Sequence, residues 1–145
     1  MNIFEKLGLV LPGVENPARY IGGEANSVVK KHSQMLAKMA FVFPDIYEIG
    51  MSNNGMRILY HVINREPDLL CEVAFAPWDD MAKEMRRLDI PLYTHATYTP
   101  VKDFDAIGMS PLAYAGKRVL IGKNKIPGII ATKPVHLLSK EEREK

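Results

Sequence analysis

At 145 residues, with 47% hydrophobic side chains, the chain is long enough for one domain with a real core and too short for two large ones. Its single cysteine excludes a disulfide framework and any multi-cysteine zinc or iron–sulfur site within the chain, because such clusters need three or four thiolates. The net charge of +2 is unevenly placed: residues 1–116 hold 11 basic and 14 acidic side chains, and residues 117–145 hold 8 and 3, leaving a mildly acidic body and a basic tail. A basic tail can attract nucleic acid, but a solvated terminus accounts for it better, so nucleic acid is not an expected partner. The first residues lack the long apolar core of a signal peptide, and no run approaches membrane-spanning length. The expectation is a cytoplasmic soluble protein without a membrane partner.

In chain order, residues 1–35 read as an arm laid over the domain: a helix-like opening from Ile3 to Leu9, then the turn formers Pro12, Gly13, Asn16, Pro17, Gly22 and Gly23. Arg19 beside Tyr20, with the glycine pair after them, offers backbone N–H groups to an anion, although packing of a short extension explains the same residues more simply. The apolar run Met39-Ala40-Phe41-Val42-Phe43 suits a strand covered on both faces, and Pro44 ends it because proline has no N–H for the ladder. A loop, Asp45 to Gly50, follows. Met56, Leu59, Tyr60 and Ile63 then form one stripe of an amphipathic helix, with Ser52, Asn53 and Asn54 offering N-cap oxygens.

Pro67-Asp68 breaks the chain before a second strand, Leu69 to Ala74. Pro77 is expected in the first turn of the next helix, whose stripe is Trp78, Met81, Ala82 and Met85. Asp79, Asp80 and Glu84 toward its start and Arg86 and Arg87 at its end complement the helix dipole, which gives the acidic pair a structural role ahead of metal binding. Pro91 to Thr94 and Thr97 to Thr99 look extended, and Phe104 to Met109 is a third strand leading into Ser110-Pro111-Leu112. Strand, helix, strand, helix, strand, with helical crossovers, predicts a Rossmann-like or flavodoxin-like open, mainly parallel sheet in three α/β/α layers, incomplete unless the tail adds to it. The domain spans 36–112. In the basic tail, 113–145, only apolar patches at Val119-Leu120-Ile121 and Ile126 to Ala131 are candidates to complete the sheet.

Little of the usual chemistry is spelled out. His32, His61, His95 and His136 have no helical metal-site spacing. There is no nucleophile elbow, no phosphate loop ending in Gly-Lys-Ser/Thr and no dinucleotide glycine fingerprint. Cys71 reads as a small buried hydrophobe, and His61, off the apolar stripe, as exposed. The remaining candidate is the loop between the first strand and its helix, because ligands of open α/β sheets bind at the carboxyl ends of strands.

Here the chain resembles a family. Asp45-Ile46-Tyr47-Glu48-Ile49-Gly50 and Ser110-Pro111-Leu112 resemble the Asp-x-His-x-x-Gly and Ser-x-Leu motifs of cobalamin-binding domains, with Tyr47 where the histidine would stand and no Gly-Gly in the remaining chain. More specifically, Phe43 to Ser52, Gly55, Arg57 to Tyr60, Phe75 to Met81, Pro91-Leu92 and Phe104 to Ser110, with Pro17 to Glu24 and Asn26-Ser27 before them, are similar to the N-terminal portion of bacterial radical SAM proteins with a cobalamin-binding-type domain. The resemblance covers residues 10–112. It implies a cobalamin-type ligand cleft lined by Asp45, Tyr47, Glu48, Gly50, Ser52, Asn53, Ser110 and Leu112, with no catalytic residue and no protein-bound metal. A phenol with a pKa of about 10 is a poor cobalt ligand, so any cobalamin is expected to bind without a lower ligand from the protein. The cysteine cluster of the radical SAM barrel is missing, so the resemblance implies a domain truncated before the barrel, with the barrel on a neighbouring chain, lost, or removed by truncation, and the partners it allows are a separate radical SAM barrel chain or a second copy of this chain.

The first expectation is therefore a ligand-binding accessory domain, not catalytic on its own. The second is a protein–protein interaction or dimerisation module with a vestigial site, since a sheet of three strands leaves an edge that a homodimer would cover. The third is a small-molecule enzyme using Asp45 or Glu48 as general acid or base, ranked last because no base–nucleophile pair is evident.

Overall fold

In this computed structural model, residues 1–109 and 129–131 are described. Strands β1 (Ala37–Phe43), β2 (Leu69–Phe75), β3 (Ala106–Met109) and β4 (Ile129–Ala131) form one parallel sheet in the order β2-β1-β3-β4. This is the strand order of flavodoxin-like doubly wound sheets, whose switch point lies between β1 and β3. The helices are α1 (Ile3–Val10), α2 (Tyr47–Met51), α3 (Asn54–Arg65) and α4 (Asp79–Arg87). The fourth strand comes from the basic tail and pairs with β3 from Ile107↔Ile129 to Met109↔Ala131.

The pleat sorts the strand residues onto two faces. Phe41, Phe43, Cys71 and Phe75 face Met56 of α3, with Tyr47, Met51, Tyr60 and Ile63 packed around them. Ala40, Val42, Ala74 and Ile107 face the other way, onto Val101, Phe104 and Leu92. The arm and α4 make a third cluster, in which Leu7, Val10, Val14 and Tyr20 meet Met81, Met85, Ile90 and Tyr93. Fully burying one side chain of this size contributes about 1.5–3 kcal/mol, so this cluster fixes the arm and α4 against each other.

Several boundaries differ from the expectation. The segment Asp45 to Gly50 is not all loop, because Tyr47–Met51 forms a short helix, with Gly50 buried against the sheet. Pro77 lies outside α4, whose N-cap is Trp78 and whose first residue is Asp79. The third strand begins at Ala106, after a 3₁₀ turn at Val101–Asp103, two residues later than Phe104. In α3 the stripe is rotated: Met56 and Asn64 are buried, while Leu59 is 48% exposed.

The rotation has a purpose. Asn64 donates its Nδ2 to the Cys71 carbonyl at 2.9 Å and accepts the Cys71 N–H on Oδ1 at 3.0 Å. Two residues on, the His95 N–H donates to the Val73 carbonyl at 3.0 Å. The outer edge of β2 is thus closed at both positions by groups of the same chain, which removes the liability of an open parallel edge. Asn64→Ala should cost about 2–3 kcal/mol, since it strands both backbone groups of a buried residue, and urea unfolding monitored by circular dichroism would measure the loss.

Cys71 is buried, and burial, reinforced by the neighbouring Glu72, pushes its thiol up to about 12. A thiol-specific reagent at mildly alkaline pH should leave the native protein untouched and label it only on unfolding.

Candidate functional site

Most of the predicted site residues come together at the carboxyl end of β1, and each is engaged within the chain. Asp45 accepts the N–H of Ile46 on Oδ1 at 2.8 Å, and its carbonyl accepts from Ala76 at 3.0 Å, which ties the ends of β1 and β2 together. Glu48 pairs with Arg19 at 2.7 Å, and this partner holds its carboxyl below the usual carboxylate range. Ser52 Oγ donates to the Ile49 carbonyl at 2.8 Å, and Asn53 Oδ1 accepts the Met56 N–H at 2.9 Å as the N-cap of α3. A Cβ at Gly50 would stand 2.2 Å from the Phe75 ring, so glycine is required there by close packing of α2 on β2. Ser110 and Leu112 lie outside the described residues.

Tyr47 is half-buried. Its ring lies edge-on to Phe75 at 5.3 Å and stacks with His95 at 6.1 Å. Burial pushes its phenol above the ordinary value, and the negative charge of nearby Glu24 pushes in the same direction. A neutral phenol is not a cobalt ligand. Residues 45–53 therefore do not fit a cobalamin held through a protein axial ligand, and no step is derived through one.

The arm is threaded over this end of the sheet. The Arg19 guanidinium lies 5.9 Å from the centre of the Trp78 ring, and the Trp78 N–H donates to the Tyr20 hydroxyl at 3.2 Å. Tyr93 and Tyr98 hydroxyls donate to the Tyr20 and Ile21 carbonyls, and Asp80 accepts the Glu15 N–H at 2.8 Å. The acidic pair at the start of α4 thus anchors the arm through Asp80. Gly22 has φ +61, and a Cβ there would stand 2.2 Å from the His95 carbonyl oxygen. Close approach of two backbones accounts for Gly22 without an anion.

Beside α2 the arm closes a cleft of about 150 Å³. Residues 24–27 form one wall, Met51, Met56, Arg57, Tyr60 and His61 another, and Val73, Phe75, His95 and Ala96 the rest. His95 is 7% exposed, with Tyr47, Phe75 and Tyr93 packed about its ring, and its Nδ1 is buried without a hydrogen-bond partner among the described residues. Burial lowers its pKa from 6.5 to about 4. With the folded value depressed, the unfolded chain takes up the proton first as pH falls, so His95 removes stability below its unfolded value. Between pH 6.5 and about 5 the wild type should lose about 1.5 kcal/mol that a folded His95→Phe variant keeps, as thermal unfolding across that range would show.

A second polar cluster was not legible in the sequence. Glu72, fully buried on β2, accepts from His32 Nε2 at 2.8 Å, from Thr94 Oγ1 at 2.5 Å and from Thr97 Oγ1 at 2.8 Å. Thr97 Oγ1 also lies 3.3 Å from the same His32 nitrogen. A nucleophilic triad needs carboxylate and hydroxyl on opposite ring nitrogens. Here both meet Nε2, and the cluster joins the arm to β2 and to the 94–99 loop. Its only sequence signal is a glutamate inside an apolar strand. Among the described residues no group of three or more metal-ligating side chains occurs, and no helix is long and apolar enough to cross a membrane.

Comparison with known proteins gives one finding: residues 55–119 match the family model described as radical SAM proteins, N-terminal. The match runs from α3 through β3 and overlaps the resemblance seen in the sequence over residues 55–112. Searches of curated proteins and of solved structures found no match.

Proposed function

We propose that this chain, whose residues 55–119 are those of a radical SAM N-terminal domain, is a non-catalytic accessory unit that presents the carboxyl end of its sheet to a radical SAM barrel and holds a small-molecule ligand there. The observation that carries this reading is the flavodoxin-like order β2-β1-β3-β4, which puts the end of β1 and its 45–53 loop at the switch point where such sheets bind ligands. The carboxylates of Asp45 and Glu48 already have partners, the Ile46 N–H and the Arg19 guanidinium, which argues against acid–base chemistry by either. The ligand class that the resemblance brings is a corrinoid, held by shape and hydrogen bonds without a cobalt ligand from Tyr47. A cytoplasmic location follows from the same reading. Reconstituted with iron, sulfide and reductant, the purified chain should cleave no S-adenosylmethionine, because its one cysteine cannot hold the cluster. Turnover by the chain alone would refute the accessory role.

A second reading has its own observation. On α3, Ile58, Leu59 and Val62 are 62%, 48% and 54% exposed, an apolar strip at helical spacing that suits an interaction module. Light scattering across dilution separates the two, since the module reading requires a stable assembly of copies and the accessory reading is satisfied by a monomer.

A further inference from the structure

We infer that the outer side of α3 is a docking surface for a partner helix that is aliphatic along one face and carries carboxylates along its flank. Ile58, Leu59 and Val62 are 62%, 48% and 54% exposed, and their spacing makes them neighbours across one turn of the helix. Beside this strip Arg57, His61 and Arg65 recur every fourth residue and are all exposed, so they form one basic ridge along it. No acidic residue occurs in α3.

The fold itself makes no use of the two arginines. Asn53 caps the N-terminus of α3, and Arg57 stands one turn from that end, where the helix dipole gives a cation no stabilisation. At the other end Lys30 already donates to the Asn64 and Glu66 carbonyls, at 3.0 and 2.7 Å. Neither the Arg57 nor the Arg65 side chain has a hydrogen bond or ion pair among the described residues.

Charge decides the occupant. Residues 1–116 hold 14 acidic and 11 basic side chains, so an acid-free helix with two unpaired arginines reverses the character of the body around it. The planar guanidinium fork matches a carboxylate, and a helix laid along α3 brings its own flank to the 57–65 ridge while its aliphatic face covers the strip. A second copy would set arginine against arginine, with no carboxylate from either α3. A membrane is a poorer match, because the strip offers three aliphatic side chains and no aromatic ring to insert. The inference does not depend on a ligand at the strand ends, so the two stand or fall separately.

Fluorescence anisotropy tests it, with the full chain titrated into a labelled synthetic helix that has leucine along one face and glutamate along the flank, and into the same peptide with lysine for glutamate. The glutamate peptide should bind saturably with a midpoint of about 100 μM or tighter, and the lysine peptide about tenfold more weakly. Val62→Glu, at an exposed position, should weaken the glutamate peptide about tenfold, and Arg57→Glu combined with Arg65→Glu should reverse the preference between the peptides. No saturation by about 2 mM, equal affinity for the two peptides, or a preference that the charge swap leaves in place would each overturn the assignment. So would a stable dimer that Val62→Glu dissociates, which gives the strip to a second copy. Binding to vesicles of equal parts phosphatidylcholine and phosphatidylglycerol that Val62→Glu abolishes would overturn it too, in favour of a membrane. Because the two peptides are compared on the wild type, the test holds even where a variant fails to fold.

Discussion

Alanine at Gly22 should lower the unfolding free energy by about 3–4 kcal/mol. Two costs add. With φ +61, any Cβ pays the penalty of the left-handed region, about 1–2 kcal/mol. The Cβ would also stand 2.2 Å from the His95 carbonyl oxygen, a backbone atom that cannot swing aside, and relieving such an overlap costs about 1–3 kcal/mol. Gly23→Ala is the control: φ is +87 but nothing lies within 4 Å, so only the conformational penalty of about 1 kcal/mol or a little more remains. Chemical denaturation of the two variants should separate them by about 2 kcal/mol. Equal losses would mean that the arm does not press on His95.

The second large effect belongs to Glu72. Removing its carboxylate as Glu72→Ala takes away the acceptor shared by His32, Thr94 and Thr97, leaving the two hydroxyls their bonds to Thr99, and opens a void at a fully buried position. The expected cost is about 3–5 kcal/mol. Glu72→Gln keeps the shape and one acceptor, and the threonine hydroxyls can turn to accept from the amide, so about 1 kcal/mol is expected. The contrast between Ala and Gln, read by thermal unfolding, distinguishes a lost network from a merely lost charge. The network also braces the 94–99 loop, where Tyr98 sits at φ 56, unusual for a bulky residue.

The sheet was legible because its signals are local. Apolar runs at Met39–Phe43 and Leu69–Ala74, Pro44 after the first, and the Asn53 cap are read from neighbouring residues, and the structure extends the strands by no more than two residues at either end. The radical SAM resemblance rested on several motifs in order, and the family match over 55–119 bears it out, while leaving the cobalamin type of the domain as a proposal. What escaped the sequence depends on partners far along the chain. Asn64, off the apolar stripe of α3, gains its role only from Cys71 across the edge of β2. Glu72, inside an apolar strand, gains its role only from His32, 40 residues earlier, and from the two threonines. The glycine pair offered an anion site on local grounds, and a backbone contact with His95, remote in sequence, explains Gly22 instead. The cleft likewise gathers the arm, α3, β2 and residue 95, which no short window brings together.

The central claim, that the strand-end face of this domain holds a corrinoid-type ligand for a radical SAM partner, is tested most directly by following the fluorescence of Trp78, the single tryptophan, while hydroxocobalamin is added to the chain. Trp78 stands beside Arg19 and Tyr20, where the arm crosses α4 near the Arg19–Glu48 pair. Saturable quenching, with the cofactor's visible bands unshifted because Tyr47 supplies no cobalt ligand, is the result expected. Fluorescence that falls only by the inner-filter amount, together with cofactor that elutes free of the protein on a sizing column, would contradict the claim.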